Sequence, residues 1–128
     1  MIKYYENEYA SYRFSNGILK VTYHEGVTVK YGTAVKVVRD RLQLQEGQWL
    51  AVLCDIRGIK EIDKPARAYL AVEGSSLIHA VAFLIDTPVS KMMTKFYVRT
   101  SKPLVPSQVF DDEQDALLFL NKFKDSAF

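Results

Sequence analysis

The sequence predicts a mixed α/β domain, with helices crossing over between strands of one sheet, and three observations carry that expectation. Trp49–Ile56 and Leu77–Ile85 are long apolar runs of the kind found in strands buried on both faces of a parallel sheet. Around them lie stretches with helical apolar spacing, two of which open on an N-cap type residue followed closely by proline: Asp63-Lys64-Pro65 and Thr87-Pro88. Ahead of them, Tyr9–Tyr23 alternates apolar and polar residues about Asn16-Gly17, the preferred pair for a two-residue hairpin turn.

Composition bounds the possibilities. A chain of 128 residues suits one domain, 1–128, with an ordered core over about 9–124. Its 48% hydrophobic and 25% charged residues are those of an ordinary globular protein. Seventeen basic against fifteen acidic residues leave a net charge of +2, too even to point to nucleic acid, and no nucleic-acid partner is expected. The one cysteine cannot form an internal disulfide, which fits a reducing, cytoplasmic setting. Met1–Ala10 has no apolar segment, so no secretory signal is expected. Leu77–Ile85 is interrupted by His79 and falls far short of the ~20 residues of a membrane span.

Taken in order, Tyr12 and Phe14 alternate with Ser11, Arg13 and Ser15 before the turn; Leu19, Val21 and Tyr23 alternate with Lys20 and Thr22 after it. One face is apolar and the other wet, as expected at an antiparallel edge of the sheet. Val27–Tyr31 can continue as strand. Tyr31, Ala34, Val35, Val38 and Leu42 then share a helical face opposite Lys36, Arg39 and Arg41, predicting a helix over about 30–44 with Thr28 as a candidate cap. Gly58 opens a connection to Asp63, which caps a helix carrying Ala66, Tyr69 and Leu70 and ending near Gly74. Thr87-Pro88 starts a further helix bearing Val89, Met92, Met93 and Phe96. Pro103 and Pro106 flank an extended piece ending at Val109-Phe110, an expected edge strand because proline cannot donate to a central ladder. Asp111 or Asp112 caps a last helix with Ala116, Leu117, Leu120 and Phe123 on one face.

This order and its local motifs resemble STAS domains, the SpoIIAA-like fold of anti-sigma-factor antagonists, over roughly Tyr9–Lys124. The resemblance rests on Val52-Leu53-Cys54-Asp55-Ile56, the loop 57–62, and Asp63 opening a helix. It implies a SpoIIAA-like mixed sheet with an N-terminal β-hairpin and about four helices. In that family such a strand leads to an Asp-Ser pair, whose serine is phosphorylated to switch a protein partner. Here Asp63 matches the acid, but Lys64 stands at the serine position and Pro65 follows it, so the phospho-switch does not carry over. Asp55-Ile56-Arg57-Gly58 together with Ala66-Arg67-Ala68-Tyr69-Leu70 looks more like uncharacterised bacterial STAS-like proteins than the true antagonists. Some SpoIIAA-like proteins are also similar in fold to CRAL-TRIO lipid-binding domains.

Candidate functional residues gather at the end of the Trp49–Ile56 strand, since ligands of open α/β sheets bind beyond the carboxyl ends of strands. Asp55 and Arg57 are one strand period apart, and Arg67 lies where it reaches Asp55 if the connection folds back. With Asp63 and Lys64 these form either a charged recognition site or an ion-pair network that only fixes the loop. Met92, Met93, Phe96 and Tyr97 form either a face for an apolar ligand or partner, or a stripe that covers the sheet. Lys91, Lys95 and Arg99 share a side of the same helix, which is either solvated or turned to anionic headgroups.

His24, His79 and Cys54 lack the paired spacing of zinc ligands, Ser75-Ser76 lack a nucleophile-turn pattern, and the single glycines make no phosphate loop. No metal, cofactor or catalytic residue is therefore expected. The leading expectation is a non-enzymatic STAS-like domain acting through an unidentified protein partner, or as a homodimer. The alternative is a domain binding a small apolar ligand or membrane lipid. An enzyme using Asp55, Arg57 and Arg67 is the third.

Overall fold

The computed structural model of the chain describes residues 3–88, 92, 94 and 104–124. Its main sheet has six strands in the order β1-β2-β3-β5-β7-β8, and β4 and β6 form a separate two-stranded sheet.

The hairpin forms as expected. β2 (Ala10–Ser15) and β3 (Ile18–Tyr23) pair antiparallel, with Ser15 facing Ile18. Asn16 and Gly17 both take positive φ, 53° and 79°, as a type I′ turn requires. The hairpin is not the edge, however. A short strand β1 (Tyr4–Glu6) pairs outside β2. Its Tyr-Tyr-Glu sequence is exposed throughout and so carries no alternation to read.

The expected parallel core is present. β5 (Leu50–Asp55) pairs parallel with β3 on one side and β7 (Ile78–Leu84) on the other, and β8 (Ser107–Phe110) pairs parallel with β7. Trp49 stays outside the strand, 44% exposed. Alternate residues feed two cores. Leu19, Val21, Val52 and Val81 pack in one with α1 (Tyr31–Gln45) and α2 (Lys64–Val72). Ile18, Ala51, Leu53, Ala80 and Ala82 pack in the other with Ala116 and Leu120 of α3 (Glu113–Asn121).

Two helix caps form where the acids predict them. The Asp63 side chain accepts from the Ala66 amide at 2.9 Å, with Pro65 in the first turn, and that of Asp112 accepts from the Gln114 amide at 2.7 Å. Each cap satisfies an otherwise orphaned amide and contributes about 1 kcal/mol.

Other boundaries moved, each for a tertiary reason. Thr28 does not cap α1, because it lies in β4 (Val27–Val29), which pairs with β6 (Ile59–Ile62). Lys30 occupies the cap position without a side-chain bond. The stretch after Gly58 is strand rather than plain connection for the same reason. The buried face of α1 is also rotated from the expected one. Tyr31 is 53% exposed, whereas Val37 and Leu44 are buried and Arg41, expected on the wet side, is only 4% exposed. α1 packs on the sheet and on α2 at once, so its buried arc is wider than one apolar stripe.

Three α-helices stand among the described elements, where about four were expected. The helix opened by Thr87-Pro88 falls largely outside the described residues, although Pro88, Met92 and Thr94 have helical backbone. No helix among the described residues is long and apolar enough to cross a membrane.

Candidate ligand-binding cleft

An open cleft of about 1200 Å³ lies between the sheet and the α1–α2 layer. Its floor is the face of β3, β5 and β7 that carries Val21, Val52, Cys54, Val81 and Phe83. α1 contributes Val37, Val38 and Arg41, α2 contributes Leu70 and Ala71, and β6 closes one end with Ile59 and Ile62. β4 and β6, which pair outside the main sheet, line it through Thr28, Ile59 and Ile62. Their small parallel sheet is tied to the start of α2 by the Asp63 amide, which donates to Val29 O at 3.1 Å. Gly58 makes this possible. A Cβ there would meet Tyr23 O at 2.6 Å and His24 O at 2.7 Å, so only glycine lets the chain turn against the end of β3.

Arg41 is the polar feature of the interior. Its Nη1 donates to Gln45 Oε1 and to Ser76 O (2.9 Å), and its Nη2 donates to Gly74 O (3.2 Å). All three acceptors are neutral, and among the described residues no carboxylate contacts it. Burial pushes the guanidinium down to about 10, so it remains charged at neutral pH. Gln45 is buried beside it and spends its own amide on Gln48 O and Leu77 O. Burial also lifts the Cys54 thiol to about 12, which makes it a wall group rather than a nucleophile. The exposed side chains Lys30, Lys60, Glu61 and Lys64 stand at the rim.

Of the residues expected to form one charged site, Arg57, Asp63, Lys64 and Arg67 all line the cleft, but only Asp55 and Arg57 bond to each other. They do so through a side-on pair of Nε to Oδ1 (2.9 Å) and Nη2 to Oδ2 (2.7 Å). Burial alone would raise the Asp55 carboxyl, but the bonds from Arg57 outweigh it and hold the carboxyl below its ordinary value. The Arg57 amide also donates to Asp55 Oδ1 at 3.1 Å, so the pair clamps its own loop. Asp55 follows Leu53 on the α3 side of the sheet, near Lys20, which bridges to Glu113 at 3.0 Å.

Arg67 does not join them. It donates from Nη1 to Ile62 O at 2.8 Å, and it lines the cleft together with Arg57, Asp63 and Lys64. Asp63 is committed to its cap, and Lys64 is exposed at the rim.

Of the apolar set, Met92 is described and is 73% exposed, while Met93, Phe96 and Tyr97 lie outside the described residues, as do Lys91, Lys95 and Arg99. His79 is buried on β7 with its ring 5.8 Å from that of Trp49, and His24 pairs with Glu6 at 2.8 Å. Ser75 Oγ donates to Ala71 O at the end of α2. Sequence reasoning missed Arg41, and its one signal there was a base within helical spacing of the apolar positions.

A family model described as a domain of unknown function, DUF7793, matches residues 12–124. The chain belongs to that family. DUF7793 here takes the SpoIIAA-like fold. A solved structure of an uncharacterised DUF3478-family protein with that fold, from Shewanella loihica PV-4, superposes with a TM-score of 0.62 at 14% identity. The match covers 91% of this chain and 98% of that one. At that identity the likeness shows the fold and nothing of the activity. No curated protein matches the chain.

Proposed function

We propose that this domain is a non-enzymatic binding module that holds a small apolar, chain-like molecule in the cleft between its sheet and the α1–α2 layer. The observation carrying this reading is the cleft itself. It is lined mainly by aliphatic side chains, and its volume of about 1200 Å³ is at or above the ~300–1000 Å³ usual for ligand sites. Val21, Val52 and Val81 of its floor are buried, so the space is a recess within the core, larger than the few water-sized voids of a close-packed interior. With Lys64-Pro65 in place of a phosphorylatable serine, the domain belongs on our reading to the STAS-like branch that works without a phospho-switch.

Calorimetric titration with decanol, an uncharged chain, tests the proposal. Binding should be saturable and should weaken at least tenfold in Leu70→Asp, which sets a carboxylate into the α2 wall. An absence of saturable binding, with no lipid co-purifying in native mass spectrometry, would remove the reading. Contact with a protein partner is the second reading, supported by the solvent-facing Met92. A pull-down that recovers a specific protein from wild type but not from Met92→Glu would favour it.

A further inference from the structure

Arg41 carries a further inference, one that rests on the cleft reading above. A guanidinium has five N–H donors in a fixed planar fork. Three of them are spent: one on Gln45 Oε1 within α1, and two on Ser76 O and Gly74 O, which tie α1 to the segment after α2. A purely structural tie accounts for those three and stops there. Nε–H and the second Nη2–H have no acceptor among the described residues. Nε and Nη2 are the two nitrogens by which Arg57 grips the Asp55 carboxylate side-on in this molecule. Arg41 is 4% exposed and lines the cleft, so what solvent access it has is through that space.

We propose that the Nε/Nη2 edge of Arg41 receives the acidic head of the ligand, so that the cleft takes a chain-like monocarboxylate with its tail along β3, β5 and β7. Two parallel N–H groups match the two oxygens of a carboxylate in geometry as well as charge. A monoanion balances one guanidinium, whereas a phosphate monoester would leave surplus charge in an apolar space. The neutral acceptors hold the guanidinium in place without neutralising it, which leaves its charge for the ligand. Around the cleft the bases Lys30, Lys60, Lys64 and Arg67 outnumber the acids Glu61 and Asp63, which favours the approach of an anion.

The test compares decanoate, decanol and decyl phosphate by calorimetry on the full chain, in wild type and Arg41→Met. Decanoate should bind wild type about tenfold to a hundredfold more tightly than decanol, as a charge-assisted pair supplies. In Arg41→Met that preference should vanish. Equal affinity for decanoate and decanol in wild type would overturn the head-group assignment and leave the apolar cleft standing. Failure of all three probes to bind would overturn the cleft reading itself. Tighter binding of decyl phosphate would reassign the head to phosphate, and a carboxylate preference that survives in Arg41→Met would overturn the role of Arg41.

A second measurement needs no variant. Carbon NMR of carboxyl-labelled decanoate should show the bound carboxyl titrating below free decanoate, as a neighbouring guanidinium requires. A carboxyl pushed upward by apolar burial would overturn the contact.

Discussion

Gly58→Ala perturbs the tight turn between β5 and β6. The added Cβ lands 2.6 Å from Tyr23 O, 2.7 Å from His24 O and 2.8 Å from His24 C, well inside the ~3.5 Å of ordinary carbon contacts. All three atoms are backbone, so no rotamer change relieves them. The end of β3 is pinned by the parallel pairing of Thr22 with Asp55, and Gly58 O itself accepts from the Gly26 amide at 2.7 Å. Relief must therefore come from displacing the turn, which strains the Gly26 bond and the Val27–Ile59 pairing beyond it. Overpacking against a fixed neighbour costs about 1–3 kcal/mol, and a backbone neighbour places this case at about 2–3 kcal/mol. Urea unfolding followed by far-UV circular dichroism measures it.

Gly32→Ala is the matched control. Nothing lies within 4 Å of its added Cβ, and Gly32 sits in the first turn of α1. It should be neutral or stabilising by up to ~1 kcal/mol. If Gly58→Ala falls within ~0.5 kcal/mol of wild type, surface-like behaviour by general experience, the turn is not held as described. Displacing β6 should also weaken decanol binding, since Ile59 and Ile62 close one end of the cleft.

Three more outcomes follow from named contacts. The Asp55 carboxyl is held below its unfolded value, so its stabilisation is complete above the ordinary carboxylate value of ~3.9 and is lost as pH falls through the lower folded value. Asp55→Asn should flatten that acid limb in urea midpoints measured across it, at a cost near ~1 kcal/mol at neutral pH because Arg57 is 44% exposed. Asp63→Ala removes the α2 cap and should cost about 1 kcal/mol by the same assay, with the loss confined to that helix in amide exchange. Cys54, half-buried and with its thiol lifted to about 12, should alkylate with iodoacetamide at pH ~8.5 at least a hundredfold more slowly in the folded protein than in urea, and equal rates would refute the raised thiol.

The turn, the caps and the buried strands were legible because each is a local statement. Asn16-Gly17 needs positive φ wherever it stands, Asp63 and Asp112 find their amides within three residues, and β5 and β7 announce themselves by unbroken apolar runs. The charged site was only half legible. Asp55 and Arg57 are two residues apart in one strand end, and their pairing follows from period-two geometry. Whether Arg67 reached them depended on where the connection went. β6 paired with β4, and Arg67 spends its Nη1 on Ile62 O at the end of β6 rather than on Asp55.

By itself the sequence determined a mixed sheet with an antiparallel N-terminal side, parallel central strands, and helices opened by acids. Those features follow from backbone chemistry and periodicity over a few residues. Only the tertiary structure decided that β4 and β6 leave the main sheet, that α1 turns Arg41 inward, and that a cleft opens between them. Each depends on chain segments distant in sequence: Val29 against Asp63, Tyr23 against Gly58, Arg41 against Ser76. A base at position 41 reads as a solvated helix face until the carbonyls that hold it are brought into place.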